Sequence, residues 1–154
     1  AAKLREVHAQ LDDELATILA DAQAEETTRQ PAPGEWSAVE VIAHLVATAR
    51  EFQIAQAFQL SDMPLDRFPD NPPAWVQSIL GVHPTSGELL NLLKQTERET
   101  EAMVAALPAE FVANKIGYLN LTATLLQNLP GHSRLHFEQI QAAIAAARAA
   151  IAAE

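Results

Sequence analysis

The stretch "GHSRLHFEQI", residues 131–140, decides the fold, because it sets two histidines one helical turn apart inside an apolar seam. Stepping by three and four residues picks out Leu125, Leu129, His132, His136, Ile140, Ala143, Ala147 and Ile151, one stripe of an α-helix. Both imidazoles therefore point where a core side chain belongs. An imidazole buried there without a partner costs on the order of 1–3 kcal/mol. The stripe thus predicts a helical fold in which a neighbouring element brings partners to these two rings.

The same periodicity recurs outward from this stretch, and the pattern predicts an all-α chain. Leu4, Val7, Leu11, Leu15, Ile18 and Ala22 form the stripe of a first helix, with acids and amides filling much of the rest. It fades at "ETTRQPAPG", residues 26–34, where β-branched residues, two prolines and a glycine predict a loop. In "WSAVE", residues 36–40, Ser37 and Glu40 have capping-box spacing and Trp36 is placed to pack on Val41, so a second helix should run from Ser37 to about Phe58. Val41, Leu45, Thr48, Phe52 and Ala55 form its inner side.

Prolines at 64, 69, 72, 73 and 84 forbid a long helix over the next segment. Within it, Asn71 as a cap, Pro72 in the first turn and Gly81 as a terminator predict a short helix from about Pro72 to Leu80. Thr85 and Glu88 repeat the capping-box spacing and open a third long helix that should reach about Leu107, before Pro108. The last helix is expected from near Thr122 almost to the C-terminus, kinked where Pro130 removes a backbone donor and crowds Leu126. Its alanine-rich tail reads either as a small-residue face for a homodimer contact or as a strongly helix-prone end that frays.

Composition narrows the chemistry. A chain of 154 residues has the usual size of one domain, so 1–154 is read as a single unit. With no cysteine, disulfides, thiolate metal sites and a cysteine nucleophile are excluded, and any reactive thiol must belong to a substrate. Twenty acidic against ten basic side chains give a charge of −10, which repels a phosphate backbone, so nucleic acid is not expected as a partner. The acids among the apolar residues of the opening segment differ from a secretory leader, and no run approaches a membrane span. A cytoplasmic protein with no membrane partner is the resulting expectation.

Three of the five histidines are placed for chemistry. His132 and His136 stand one turn apart with β-carbons ~5–6 Å from each other, a spacing that lets two imidazoles meet one ion. His44, in "VIAHLVA", falls on the inner side of the second helix. Three neutral imidazoles converging between helices would form an open site for zinc, nickel or ferrous iron, with positions left for water or substrate. Core histidines that merely satisfy one another occur at the same spacing, so the pair alone does not separate the two readings. His8 is expected at the edge of the first stripe, and His83, before Pro84, in solvent. Trp36 and Trp75 are read as core anchors, Gln139 as a surface residue or one that reaches a metal-bound water, and the acids as mainly a solvated surface.

"GEWSAVEVIAHLVATARE", residues 34–51, and "GYLNLTATLLQNLPGHSRLHFEQI", residues 117–140, resemble the DinB-like (YfiT-like) superfamily. Trp36, Ser37, His44, Leu45, His132, His136, Gln139 and Ile140 occupy the positions of its pattern. Ser133 stands where some relatives carry an acid. The resemblance implies a four-helix bundle with a short extra helix between the second and third long helices, and a three-histidine site of His44, His132 and His136 for a divalent ion. Characterised relatives include enzymes that use low-molecular-weight thiols such as bacillithiol or mycothiol. It therefore implies a metal-dependent transferase that moves a small thiol to a small electrophile. The alternatives are a metal-dependent hydrolase and a bundle that binds metal or a small ligand without catalysis.

Overall fold

The computed structural model describes residues 1–61 and 73–154, and among these the chain is all-α, with no strand. In chain order the helices are α1 (Ala2–Leu19), α2 (Ala24–Thr28), α3 (Ala38–Leu60), α4 (Pro73–Val82), α5 (Ser86–Ala105), α6 (Ala109–Ala113) and α7 (Lys115–Ala123). A π-helical segment, Thr124–Asn128, then joins α7 to α8 (Leu129–Ile151). α1 and α3 each pack against both α5 and α8, so the four close a ring around the core. α4 lies on α3, and α2 bridges α3 and α8.

α3 is the most enclosed element. Between Ala38 and Ala47 only Glu40 and His44 escape full burial, and a helix apolar on every side is one that its neighbours surround. Its start is fixed by the expected capping box. The Ser37 backbone N–H and hydroxyl donate to Glu40 Oε2 at 2.8 and 2.9 Å, while Ser37 Oγ accepts from the Glu40 N–H at 3.4 Å. Thr85 and Glu88 repeat the arrangement at the start of α5.

The interior forms two apolar clusters. The larger gathers Leu15, Val41, Ile42, Leu89, Phe137 and Ile140 among others, with Trp36 packed against it. The smaller, around Leu4, Phe52, Leu121 and Leu125, draws in Met103, Val104 and Phe111.

Several expectations are corrected. The loop over residues 26–34 begins inside α2, a helix made possible by a capping box between Gln23 and Glu26 and by the Thr27 and Thr28 hydroxyls, which donate to the Ala24 carbonyl. Gly81 does not end α4, which runs to Val82. Pro84 disfavours helical geometry at His83 and is the physical stop. The proposed cap Asn71 and first-turn Pro72 lie outside the described residues. The last helix begins earlier than expected, at Lys115, because the Asn114 side chain accepts from the Gly117 N–H at 3.1 Å. At Pro130 the helix continues, and the π segment just before it absorbs the missing donor by lengthening its turn, with the Leu129 N–H reaching back to the Thr124 carbonyl. Of the small-residue face on α8, Ala143 and Ala147 are buried within this chain, on the helix that α2 packs against. Arg148 there donates to the Asp21 carbonyl at 2.7 Å and pairs with Glu26 at 2.9 Å.

Because Ser37 anchors the most enclosed helix, Ser37→Ala should lower stability by about 1–2 kcal/mol through loss of the cap. Urea unfolding would show this as a lower midpoint at unchanged slope; an unmoved midpoint would mean that packing alone fixes the start of α3.

Candidate metal centre

Packing of α3 on α8 brings together the three histidines that the sequence singled out. His44 lies two turns into α3, between fully buried Ala43 and Leu45, so its direction is set by the core around it. His132 and His136 occupy the first turns of α8 after the π segment. Their ring centroids are 4.4 Å apart, and His44 lies 5.6 Å from His132 and 4.7 Å from His136. One ligand nitrogen from each ring falls within 4.8 Å of the other two.

Ring tautomers follow from the partners. Gln139 Oε1 lies 2.9 Å from His136 Nδ1 and only accepts, so Nδ1 carries the proton and Nε2 keeps its lone pair. That Nε2 is 3.1 Å from His132 Nε2, which donates to it when no ion intervenes. Two nitrogens bound tetrahedrally at a zinc–nitrogen distance of ~2.0–2.1 Å would stand roughly 3.3 Å apart. The pair is therefore already at ligand spacing, and a shift of the His132 proton to Nδ1 frees the second lone pair. Gln139, expected at the surface or at a metal-bound water, is exposed and orients a ring of the site.

Electrostatics favour the neutral, ligating form. Burial first, and then the neighbouring His136 and His132 rings, lower the His44 pKa to about 4. Burial and His136 likewise lower that of His132. Trp36 is more than a core anchor, since its ring centroid is 5.1 Å from that of His44. Trp36 and Gln139 also line an outer groove of about 510 Å³ between the segment before α3 and the flank of α8. The donor set, its neutrality and its spacing fit a divalent ion: the triad could hold one.

The remaining residues divide differently than expected. His8 faces inward at the edge of α1, its Nδ1 2.8 Å from Glu101 Oε1. His83 is half-buried rather than free in solvent, with its backbone N–H donating to the Ile79 carbonyl at 2.8 Å. Trp75 packs on the larger cluster, as a core anchor should. The acids are not all solvated surface: Asp12 and Glu97 share a hydrogen bond inside the bundle. A signal for them existed, since Asp12 follows Leu11 and Glu97 follows Thr96 along the inner stripes of α1 and α5, each one turn from His8 or Glu101.

In comparisons with known proteins, the family model described as the DinB superfamily matches residues 7–140. The chain belongs to that superfamily. No curated protein and no solved structure gave a significant match. Among the described residues, no helix is long and apolar enough to cross a membrane.

A testable consequence concerns the metal-free chain. With a folded pKa of about 4 for His44 against 6.5 ordinarily, the folded state binds fewer protons than the unfolded state between those values. The stability this contributes is complete above pH 6.5 and is lost as the pH falls through about 4. Urea midpoints should therefore drop on acidification across this window, and drop less in His44→Phe. Equal losses in both proteins would show that other groups govern the acid limb.

Proposed function

We propose that the triad of this DinB-superfamily chain holds one divalent ion through His44, His132 and His136, and that the protein is a metal-dependent enzyme transferring a low-molecular-weight thiol to a small electrophile. The observation that carries the reading is the convergence of three imidazoles from two helices, with ligand atoms within 4.8 Å and a ring-orienting partner already in place. Zinc and nickel are the preferred ions for such an all-nitrogen set, and iron a further one. The transfer reading draws on the likeness to a family whose characterised members include thiol-using enzymes. Absence of cysteine makes the thiol a cosubstrate.

A divalent ion held by three neutral ligands keeps its full positive charge and, when bound, favours thiolate over thiol. The chain's own residues do the rest. Gln139 holds the His136 ring so that Nε2 faces inward, and Trp36 backs His44 with an aromatic wall. The half-buried rings leave the centre reachable, and buried Leu45 lines the space beside His132.

Elemental analysis of protein purified without chelator should find near-stoichiometric metal, lost in both His44→Ala and His136→Ala while circular dichroism stays helical. A metal-free parent that takes up neither zinc nor nickel would sink the proposal. Gln139→Leu should weaken metal affinity roughly 10- to 100-fold by releasing the His136 ring. Product analysis with and without added thiol then tests the transfer. Products that form equally well without thiol would replace transfer by hydrolysis.

A further inference from the structure

A fourth histidine stands beside the triad without belonging to it. His8 of α1 shares with His132 and Ser133 of α8 the wall of a cavity of about 50 Å³ that α3 and α5 also border. Leu11, Phe52 and Leu93 make much of the remaining wall apolar. One water needs roughly 10–15 Å³ on this scale, so the space admits about three to five heavy atoms, the size of a short thiol arm.

His8 is held as half of a dyad. Its Nδ1 lies 2.8 Å from Glu101 Oε1, and both side chains are largely withdrawn from solvent. Arg5 Nε lies 3.8 Å from the other Glu101 oxygen and favours the carboxylate, which only accepts. Nδ1 therefore carries the ring proton and Nε2 the lone pair. Glu101 does not line the cavity, whereas His8 does, and Nε2 has no hydrogen-bond partner among the described residues. The ring thus turns its Nδ1 edge to Glu101 and leaves the basic Nε2 edge for whatever occupies the cavity.

The other polar groups of the wall do not compete for this role. Thr48 and Ser133 supply hydroxyls, which pass a proton on but do not keep one at neutral pH. Burial, then repulsion by Asp12, pushes Glu97 up to about 9, so at neutral pH it already holds a proton. A proton taken up by His8 is met directly by Glu101 and by Asp12 one turn along α1, whose carboxylate is itself stabilised by charge on His8.

We propose that His8, oriented by Glu101, is a catalytic base that takes the thiol proton in the cavity it shares with His132. This rests on the thiol-transfer reading. In the step, Nε2 accepts the proton from sulfur, the sulfur electron pair forms the bond to the electrophilic carbon, and the leaving group departs with its bonding pair. The proton then passes from Nε2 to the leaving group or, where that is a weak base such as chloride, to water. Glu101 keeps the ring in the tautomer that can accept and offsets the imidazolium charge.

The test uses the zinc-loaded full chain with mercaptoethanol and chlorodinitrobenzene as probes, thioether formation being followed by absorbance. His8→Gln should lower kcat by about 100-fold or more while zinc content and helicity stay as in the parent. In His8→Ala, added imidazole should restore part of the lost rate, and it should not speed the parent. Glu101→Gln should also slow turnover, because an amide can donate or accept and no longer fixes the tautomer. Independently of turnover, long-range nitrogen–proton NMR on the metal-free chain should find neutral His8 with its proton on Nδ1. An active parent that loses nothing in His8→Gln overturns the inference and leaves thiol transfer standing. A proton found on Nε2, or a rate loss that imidazole leaves untouched, overturns it as well. A parent that holds zinc but forms no thioether beyond the uncatalysed rate sinks the thiol-transfer reading and this inference with it.

Discussion

A polar side chain inside an apolar bundle must find a partner of the right kind, and most of this structure follows from that requirement. The ring of α1, α3, α5 and α8 encloses imidazoles, carboxyls and hydroxyls where a simpler bundle would hold leucines. His136 is met by Gln139 and His132, His8 by Glu101, and Asp12 by Glu97. Each pair draws its members from the same turn of one helix or from facing helices. Removing one member strands the other, which costs more than never having placed either there.

These groups mark the junction of the two apolar clusters. Leu11, Leu45 and Leu93 belong to one, Phe52 and Leu125 to the other, and the cavity between them is bordered by His8, Glu97 and His132. The clusters supply cohesion, while the junction supplies the chemistry. His44 and His132 are held toward their neutral forms because the same apolar walls that hold the bundle together penalise the charged ones.

How much of this was legible in the sequence depended on whether a residue acts locally or across the bundle. Ser37 with Glu40 and Thr85 with Glu88 are local signals, and both helix starts were found to the residue. The three histidines were legible because His132 and His136 share a helix face and His44 stands in an apolar run, and because the surrounding pattern resembled a known family. Gln139 was left between the surface and a metal-bound water; its bond to His136 depends on ring orientation, which spacing alone does not give. Asp12 and Glu97 were lost among twenty acids, since their pairing joins α1 to α5 across some eighty-five positions of chain. The Gln23–Glu26 cap was overlooked because glutamine is an uncommon cap, and the lengthened turn before Pro130 was overlooked because it leaves no mark in hydrophobic spacing.

That lengthened turn has a further meaning. A π turn contains one residue more than an α turn, and each residue rotates a helix by about 100°. The segment 124–128 therefore sets the phase between the half of the rod that carries Leu121 and the half that carries His132 and His136. Over the same residues unbroken α geometry would set Leu121 and His132 on nearly one face, eleven residues being close to three turns, whereas the lengthened turn offsets the two by about 100°. A single inserted position thus acts as the clock adjustment that lets one continuous rod serve two differently timed faces, one for packing and one for chemistry.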